Sequence, residues 1–247
     1  MEKNRNWFII LPFLIILIIA SLSKTVDTST KPDKLHVVAL GDSITYGTGD
    51  PLKKGYIVRF KEDYKRYKSS YILLKNYGIP KFKTTDILTQ LKEHKIQNSV
   101  QSSDYIILNI GTNDFRKSAD YTFESIQENE ITEGKLKFQK NLDLIFKQLR
   151  RVNPSSPIFV MGLYNPYTEY QNEDELHSLI ADWNKVITIV SSKYNNVTFV
   201  PTIDLFYGEL KKEYYSDSLH LNPKGYELMA NRLLTYVRTY DENNNKP

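Results

Sequence analysis

Short apolar segments alternate with amphipathic ones along most of the chain. Each apolar segment is followed by glycine, proline or small polar residues, which is typical of a short buried strand. Strand and helix patterns alternate without hairpin signals, so the sequence predicts a parallel sheet with helices on both faces. The predicted strands span residues 35–40, 71–76, 104–110, 158–163 and 197–200.

Amphipathic helices are predicted between these strands and after the last one. The clearest spans 135–152, where apolar residues recur at steps of three and four. Asn222 and Pro223 predict the start of the final helix, since proline suits a first helical position. The acidic stretch 118–134 lacks periodicity, and we expect either a lid-like loop near a site or a solvated loop.

The N-terminus follows a different pattern. Lys3 and Arg5 precede an apolar run over 7–22, which is typical of an export signal. As a helix this run would be about 24 Å long. A transmembrane helix needs about 20 apolar residues, so the run is shorter than a typical membrane span. Two interpretations remain: an uncleaved membrane anchor, which we favour, or a signal peptide cut near 21–23. Either predicts that the rest of the chain is exported and lies outside the cytoplasmic membrane.

The chain is therefore divided into four segments. We predict a signal or anchor over 1–23, a polar linker over 24–34, one α/β domain large enough for a full core over 35–240, and a flexible tail over 241–247. The net charge of +4 is small, and no basic stripe with interleaved aromatic residues argues for nucleic acid as a partner. Because the chain has no cysteine, thiolate metal sites and cysteine nucleophiles are excluded.

The first strand leads into Gly41, Asp42 and Ser43. A side chain that follows a strand of a parallel sheet stands at the carboxyl edge, where such sheets bind ligands. The Ser43 hydroxyl is thus placed to attack a carbonyl group if a base removes its proton. The alternative is a plain turn, since all three residue types are common in turns.

The base and its orienting carboxylate are found near the other end of the chain. Asp217 and His220 are three residues apart in a predicted loop, so the carboxylate can contact one ring nitrogen while the other points outward. Two donors could bind the oxyanion that such a reaction forms, the Ser43 backbone N–H and the Asn113 side-chain amide. For His220 the alternative is a surface histidine, and for Asn113 an Asx turn.

Three motifs in this order resemble the SGNH hydrolases, also called GDSL-type esterases and lipases: 41–43, 111–114 and 217–220. The resemblance extends from residue 35 to about 237 and is greatest to exported, lysophospholipase-L1-like proteins of Gram-positive bacteria. It implies a flavodoxin-like three-layer α/β/α sandwich with a five-stranded parallel sheet. It also implies Ser43 as nucleophile, His220 as base, Asp217 as its orienter, and neither cofactor nor metal.

One motif departs from the family. A glycine usually follows the second strand, and its N–H completes the oxyanion hole. Aligned from Asn76, that glycine falls at Lys81, whereas Gly78 lies three residues earlier. Either backbone N–H could serve, because a backbone donor does not require glycine.

These observations favour an extracytoplasmic serine esterase or lipase that acts on a small-molecule or lipid ester, either a lysophospholipid or a short-chain acyl ester. One alternative is an acetylesterase or acyltransferase that acts on cell-wall glycans. Another is a non-catalytic binding protein on the same fold.

Overall fold

A five-stranded sheet forms the centre of the structure, a computed structural model that describes residues 34–68 and 70–244. The strand order is β2-β1-β3-β4-β5, and all neighbouring strands are parallel. Their bounds lie within two residues of the predicted ones. The strands are β1 (Lys34–Gly41), β2 (Tyr71–Asn76), β3 (Tyr105–Asn109), β4 (Ile158–Met161) and β5 (Val197–Val200).

Helices cover both faces of this sheet and connect its strands. Together with the sheet they form the predicted three-layer α/β/α sandwich. In the described part of the chain the helices are α1 (Ser43–Tyr46), α2 (Gly55–Lys68), α3 (Thr84–Gln90), α4 (His94–Gln101), α5 (Thr112–Ser118), α6 (Glu128–Val152), α7 (Glu173–Ser191), α8 (Lys211–Tyr214) and α9 (Pro223–Asn244).

Alternation along the strands gives two hydrophobic cores. Successive strand side chains point to opposite faces, so Val38 and Leu40 of β1 pack in one core with residues of α3 to α7. Val37 and Ala39 pack in the other with residues of α2 and α9. A strand that is buried on both faces reads as a continuous apolar run, which explains why the sequence marks these strands clearly.

The strand order reverses direction between β1 and β3. From β1 the chain crosses to β2 on one side, and it then returns to β3 on the other. The connections leave these two strands in opposite directions, and a crevice opens outside their carboxyl ends. Gly41 ends β1 beside Asn109 of β3, and a Cβ atom at Gly41 would lie 2.3 Å from the Asn109 carbonyl oxygen. Glycine is therefore required where the crevice begins.

The acidic stretch 118–134 is not the irregular loop we predict from its sequence. Helix α6 begins at Glu128, so only residues 119–127 lie outside helices. Glu128 and Glu130 in the first turn stabilise the start of this helix because their negative charges interact favourably with the positive end of the helix dipole. A search for apolar periodicity does not detect this signal. Phe123 of the connection is buried, with its ring centre 4.1 Å from that of Tyr167.

The predicted tail over 241–247 is wrong for residues 241–244. Helix α9 starts at Pro223 as predicted, with the Asn222 side chain capping it, and continues through Asn244. Asp241 is buried and accepts hydrogen bonds from the Tyr64 and Tyr105 hydroxyls. The polar composition of this segment predicts a frayed end. The Asp241 carboxylate, however, has buried hydrogen-bond donors, and these hold the last turns of the helix in place.

The predicted anchor and nearly all of the predicted linker lie outside the described residues, and β1 begins at Lys34. Between 34 and 244, residue 69 apart, no helix has both the length and the apolar character needed to cross a bilayer.

Candidate active site

Ser43 is the first residue of the one-turn helix α1, directly beyond β1. Asp42 precedes it and caps the helix, since its Oδ1 accepts the Ile44 backbone N–H at 2.9 Å. Gly47 ends the turn with a φ of +91°, a left-handed conformation that favours glycine. The sharp strand-to-helix turn holds Ser43 at the crevice with only 6% of its surface exposed.

Asp217 and His220 lie in the loop that precedes α9. Asp217 Oδ1 accepts the backbone N–H groups of Leu219 at 2.8 Å and His220 at 2.7 Å, which closes the loop around the carboxylate. The Ser216 N–H donates to the His220 carbonyl at 2.9 Å, and the Tyr164 hydroxyl donates to the Leu219 carbonyl at 2.8 Å. The loop is therefore fixed from both sides before any substrate binds.

The structure brings the three predicted side chains into line. Asp217 Oδ2 lies 2.7 Å from His220 Nδ1, and His220 Nε2 lies 3.1 Å from Ser43 Oγ. In this arrangement the imidazole can remove the hydroxyl proton at Nε2 while its Nδ1–H donates to the carboxylate. The serine hydroxyl can thus act as an activated nucleophile.

The carboxylate behind the imidazole is held in its ionised form. Partial burial alone would raise the pKa of Asp217, but hydrogen bonds from the backbone N–H groups of His220 and Leu219 and from the imidazole outweigh it and lower the pKa. An ionised carboxylate in this position stabilises the imidazolium that forms after proton transfer.

Asn113 lies in the first turn of α5, where the chain leaves β3. Its side-chain amide nitrogen donates to the Phe82 carbonyl at 3.0 Å and lies 3.5 Å from Asp42 Oδ2. Asn113 is buried. The Ser43 backbone N–H makes no hydrogen bond to another residue in the described ranges, whereas the Asn113 amide already has partners in the chain. Both remain predicted donors for an oxyanion.

Gly78 and Lys81 differ in the state of their backbone N–H groups. The Gly78 N–H donates to the Asn76 side-chain oxygen at 2.9 Å, and a Cβ there would lie 2.6 Å from the Tyr46 nitrogen. Gly78 thus permits the close approach of its loop to α1. Lys81 has a φ of +70°, the conformation of a glycine, and its N–H has no partner among the residues that the structure describes.

Asp42 and Asp114 are two buried carboxyl groups at this site to which the sequence alone assigns no function. Burial, with the nearby Asp114 charge, raises the pKa of Asp42 to about 7. Burial likewise raises the pKa of Asp114 to about 6, although Thr84 donates to this group through its N–H at 3.0 Å and through its hydroxyl. Both residues belong to the motifs, and this position beside known motif residues is the signal that could have identified them.

A buried ion pair supports the His220 loop from behind. Arg59 pairs with Asp50, whose Oδ2 also accepts the Gly55 N–H at 3.1 Å. In the same turn Gly49 packs so closely that a Cβ there would lie 2.9 Å from His220 Cβ. No sequence signal marks this pair, because its members lie on a loop and a helix whose approach only the fold determines.

A cavity of about 430 Å³ lies next to Asp114 at the same edge. The expected lid over 118–134 contributes to its wall from α6 and from the end of α5. Its lining is mostly charged: Lys83, Thr85, Asp114, Lys117, Ser118, Asp120, Glu130, Glu133, Gly134 and Lys137.

A parallel α/β sheet with a serine at the strand-order reversal, and an imidazole and a carboxylate in line behind it, is the arrangement of an α/β serine hydrolase. The GDSL-like Lipase/Acylhydrolase family matches the chain over residues 39–228. The chain therefore belongs to this family and is a carboxylic ester hydrolase.

Similar proteins agree with this assignment. The chain is 26% identical to the spore germination lipase LipC of Bacillus licheniformis, over 81% of this chain and 94% of the relative. It is 28% identical to the protein YpmR of Bacillus subtilis, over 94% of this chain and 95% of the relative. The crystal structure of the lipase Lip_vut3 from a goat rumen metagenome is similar with a TM-score of 0.73 and 26% identity, over 81% and 96% of the two chains.

Proposed function

We propose that this chain is an extracytoplasmic serine esterase that hydrolyses lysophospholipids or short-chain acyl esters through an acyl-enzyme. The observation that supports it is the alignment of Ser43 Oγ, 3.1 Å from His220 Nε2, with Asp217 Oδ2, 2.7 Å from His220 Nδ1. Similarity to the lipase LipC of Bacillus licheniformis supports an acyl ester as the substrate.

In the first half of the reaction, Ser43 Oγ forms a bond to the ester carbonyl carbon and gives its proton to His220 Nε2. The carbonyl π electrons move to the oxygen, which becomes an oxyanion. When the oxyanion collapses, the bond to the leaving alcohol breaks, and that oxygen takes the proton from His220. The acyl group then remains on Ser43 as an ester.

In the second half, a water molecule gives a proton to His220 and attacks the acyl carbon. The bond to Ser43 Oγ breaks, and the proton returns from His220 to that oxygen. The acid leaves and the serine is restored.

We propose three donors for the oxyanion: the Ser43 N–H, the Lys81 N–H and the Asn113 side-chain amide. Gly78 is left out because its single N–H already donates to Asn76. The Asn113 amide carries two hydrogens. In this structure it donates to the Phe82 carbonyl at 3.0 Å and lies 3.5 Å from Asp42 Oδ2, so it would exchange the longer contact for the oxyanion. Loss of one such donor typically lowers the rate by about 10²–10³.

The proposed location outside the cytoplasm is supported by the charged and apolar pattern over 3–22. A fusion of the N-terminal segment to an enzyme that is active only after export tests it. Export by residues 1–34 supports the location, and retention in the cytoplasm contradicts it.

The central test is Ser43→Ala, assayed on p-nitrophenyl acetate and butyrate. We expect a loss of about 10⁶-fold, because the nucleophile is removed and only the contribution of the oxyanion donors and of substrate binding remains. The matched control is Ser192→Ala, at an exposed serine far along the chain, which should retain full activity. A fluorophosphonate probe should label the wild type and the control but not Ser43→Ala. Equal rates in all three proteins would disprove the mechanism.

A substrate panel tests the acyl chain and the alcohol. We expect fatty acid release from lysophospholipid or hydrolysis of short-chain esters. Release of acetate from O-acetylated wall polymer, without fatty acid release, would instead support the glycan acetylesterase that the sequence leaves as an alternative.

A further inference from the structure

Large apolar side chains and two lysines are exposed beside Ser43. Tyr46 is 39% exposed, Leu52 73% and Ile79 41%. Lys53 and Lys81 are exposed in the same two loops. We call these five residues the rim.

The rim is one continuous surface because its loops pack on each other. The Ile79 N–H donates to the Gly41 carbonyl at 3.0 Å, and Gly78 lies against the backbone of Tyr46. From the other loop, the Lys53 ammonium lies 6.0 Å from the centre of the Tyr46 ring. Tyr46 belongs to the same single turn of helix as Ser43, so the rim borders the nucleophile.

The charge of the rim is positive. Residues 46–54 and 77–83 contain four lysines and a single carboxylate, Asp50. Lys54 and Lys83 pair with Glu62 and Asp86 outside these ranges, so the net positive charge is that of Lys53 and Lys81. Asp50 is buried and paired with Arg59, so it does not offset the lysines at the surface. Neither Lys53 nor Lys81 forms an ion pair with another residue in the part of the chain that the structure describes.

Exposed aliphatic side chains, a tyrosine and free lysines are the combination that suits a lipid–water interface. Leucine and isoleucine lose hydration among acyl chains, tyrosine places its ring below and its hydroxyl at the headgroups, and lysines attract anionic headgroups. A glycan would contact the tyrosine ring but would leave Leu52 and Ile79 in water, so the rim favours lipid.

We propose that the rim docks on an anionic lipid surface and thereby presents Ser43 to ester bonds at that surface. This rests on the proposed function, and it is separate from any contact made by the N-terminal segment.

The absence of cysteine allows a direct test on the full chain. Single variants Leu52→Cys and Ile79→Cys carry an environment-sensitive fluorophore, with Leu144→Cys and Ile189→Cys as matched controls. Both control positions are exposed and lie in the second halves of α6 and α7, which run away from the active edge. The probe is vesicles of phosphatidylglycerol and phosphatidylcholine with nitroxide-labelled lipid. We expect blue-shifted and quenched emission at 52 and 79, and neither change at 144 and 189.

Charge is tested by adding Lys53→Glu to the labelled Leu52→Cys protein. We expect the lipid concentration for half-maximal quenching to rise by about fivefold or more on phosphatidylglycerol vesicles, since each lysine near an anionic surface contributes about this factor. On pure phosphatidylcholine the two proteins should differ little.

Two results would overturn the docking proposal: no quenching at 52 and 79 on any vesicle, or equal quenching at all four positions. A spectral change at 52 and 79 with purified wall polymer, but not with vesicles, would also overturn it and assign the rim to a glycan. Hydrolysis of p-nitrophenyl butyrate is measured in the same samples. Activity without lipid contact rejects docking alone, whereas lipid contact without activity rejects the proposed function alone.

Discussion

At the scale of single residues, Asp217 acts through both of its carboxylate oxygens. One oxygen accepts the two backbone N–H groups that close the loop, and the other faces the imidazole. The type and spacing of Asp217 and His220 predict the contact between their side chains. They do not predict the backbone contacts, which depend on the conformation of the loop.

Asp217→Asn separates these two tasks. The amide oxygen can still accept the backbone N–H groups, but the amide nitrogen then faces His220 Nδ1 and favours the wrong tautomer. We expect kcat on p-nitrophenyl butyrate to fall by about 10⁴, with the urea unfolding midpoint nearly unchanged. A fall in kcat of less than tenfold would show that the carboxylate does not orient the imidazole.

Asp42 makes stability depend on pH. Its pKa is raised by burial from 3.8 to about 7 in the folded chain, so between these values the native state keeps a proton that the unfolded state loses. The free energy of unfolding therefore falls as pH rises through this window and levels off above it. Asp114, with a pKa raised to about 6, adds to the fall in the lower part of the window.

Asp42→Asn keeps the cap acceptor for Ile44 but removes the titration. We expect the wild type to lose about 3 kcal/mol more than this variant between about pH 5 and pH 8. Urea unfolding at the two pH values measures the difference. Parallel stability curves for the two proteins would contradict the raised pKa.

At the scale of elements, the connection between α1 and α2 packs against the His220 loop and supports it. Asp50 is buried and holds the turn through Arg59 and the Gly55 N–H, and Gly49 of this turn packs on His220. Periodicity predicts α2 well because its apolar face is regular. Periodicity does not predict the turn before α2, because the shape of that turn is set by the buried Asp50 carboxylate.

Arg59→Ala leaves the Asp50 carboxylate buried without its cation. We expect the free energy of unfolding to fall by about 3 kcal/mol and the esterase activity to fall as the His220 loop loses its support. The control Lys54→Ala removes a solvent-exposed pair with Glu62 and should cost less than about 1 kcal/mol. Equal effects in urea unfolding would argue against the supporting role.

At the scale of the whole molecule, helix α9 is fixed to the central part of the sheet through Asp241. Asp241 of α9 accepts hydrogen bonds from Tyr64 of α2 at 3.1 Å and from Tyr105 of β3. These contacts join the last helix to two elements far from it in sequence. They lie at the amino edge of the sheet, away from Ser43, so we expect them to serve stability.

Asp241→Ala should lower the free energy of unfolding by about 2 kcal/mol, because it leaves two buried hydroxyls without their acceptor. Activity on p-nitrophenyl butyrate at low temperature should be retained. The neighbouring exposed residue gives the control, Glu242→Ala, which should unfold as the wild type does. Equal stability of the two variants would restore the prediction of a frayed end.

The sequence by itself determined the five parallel strands and the helices between them, and it predicted Ser43, Asp217 and His220 as a catalytic set whose side chains the fold brings within hydrogen-bond distance. It could do so because strand and helix periodicities are local, and because parallel strands bring residues that follow them to one edge. Tertiary structure alone decided that the Gly78 N–H is occupied while that of Lys81 has no partner among the described residues. It also decided that Asp42 and Asp114 are buried and that Asp50 pairs with Arg59. These depend on distances and solvent exclusion between segments that only the folded chain brings together.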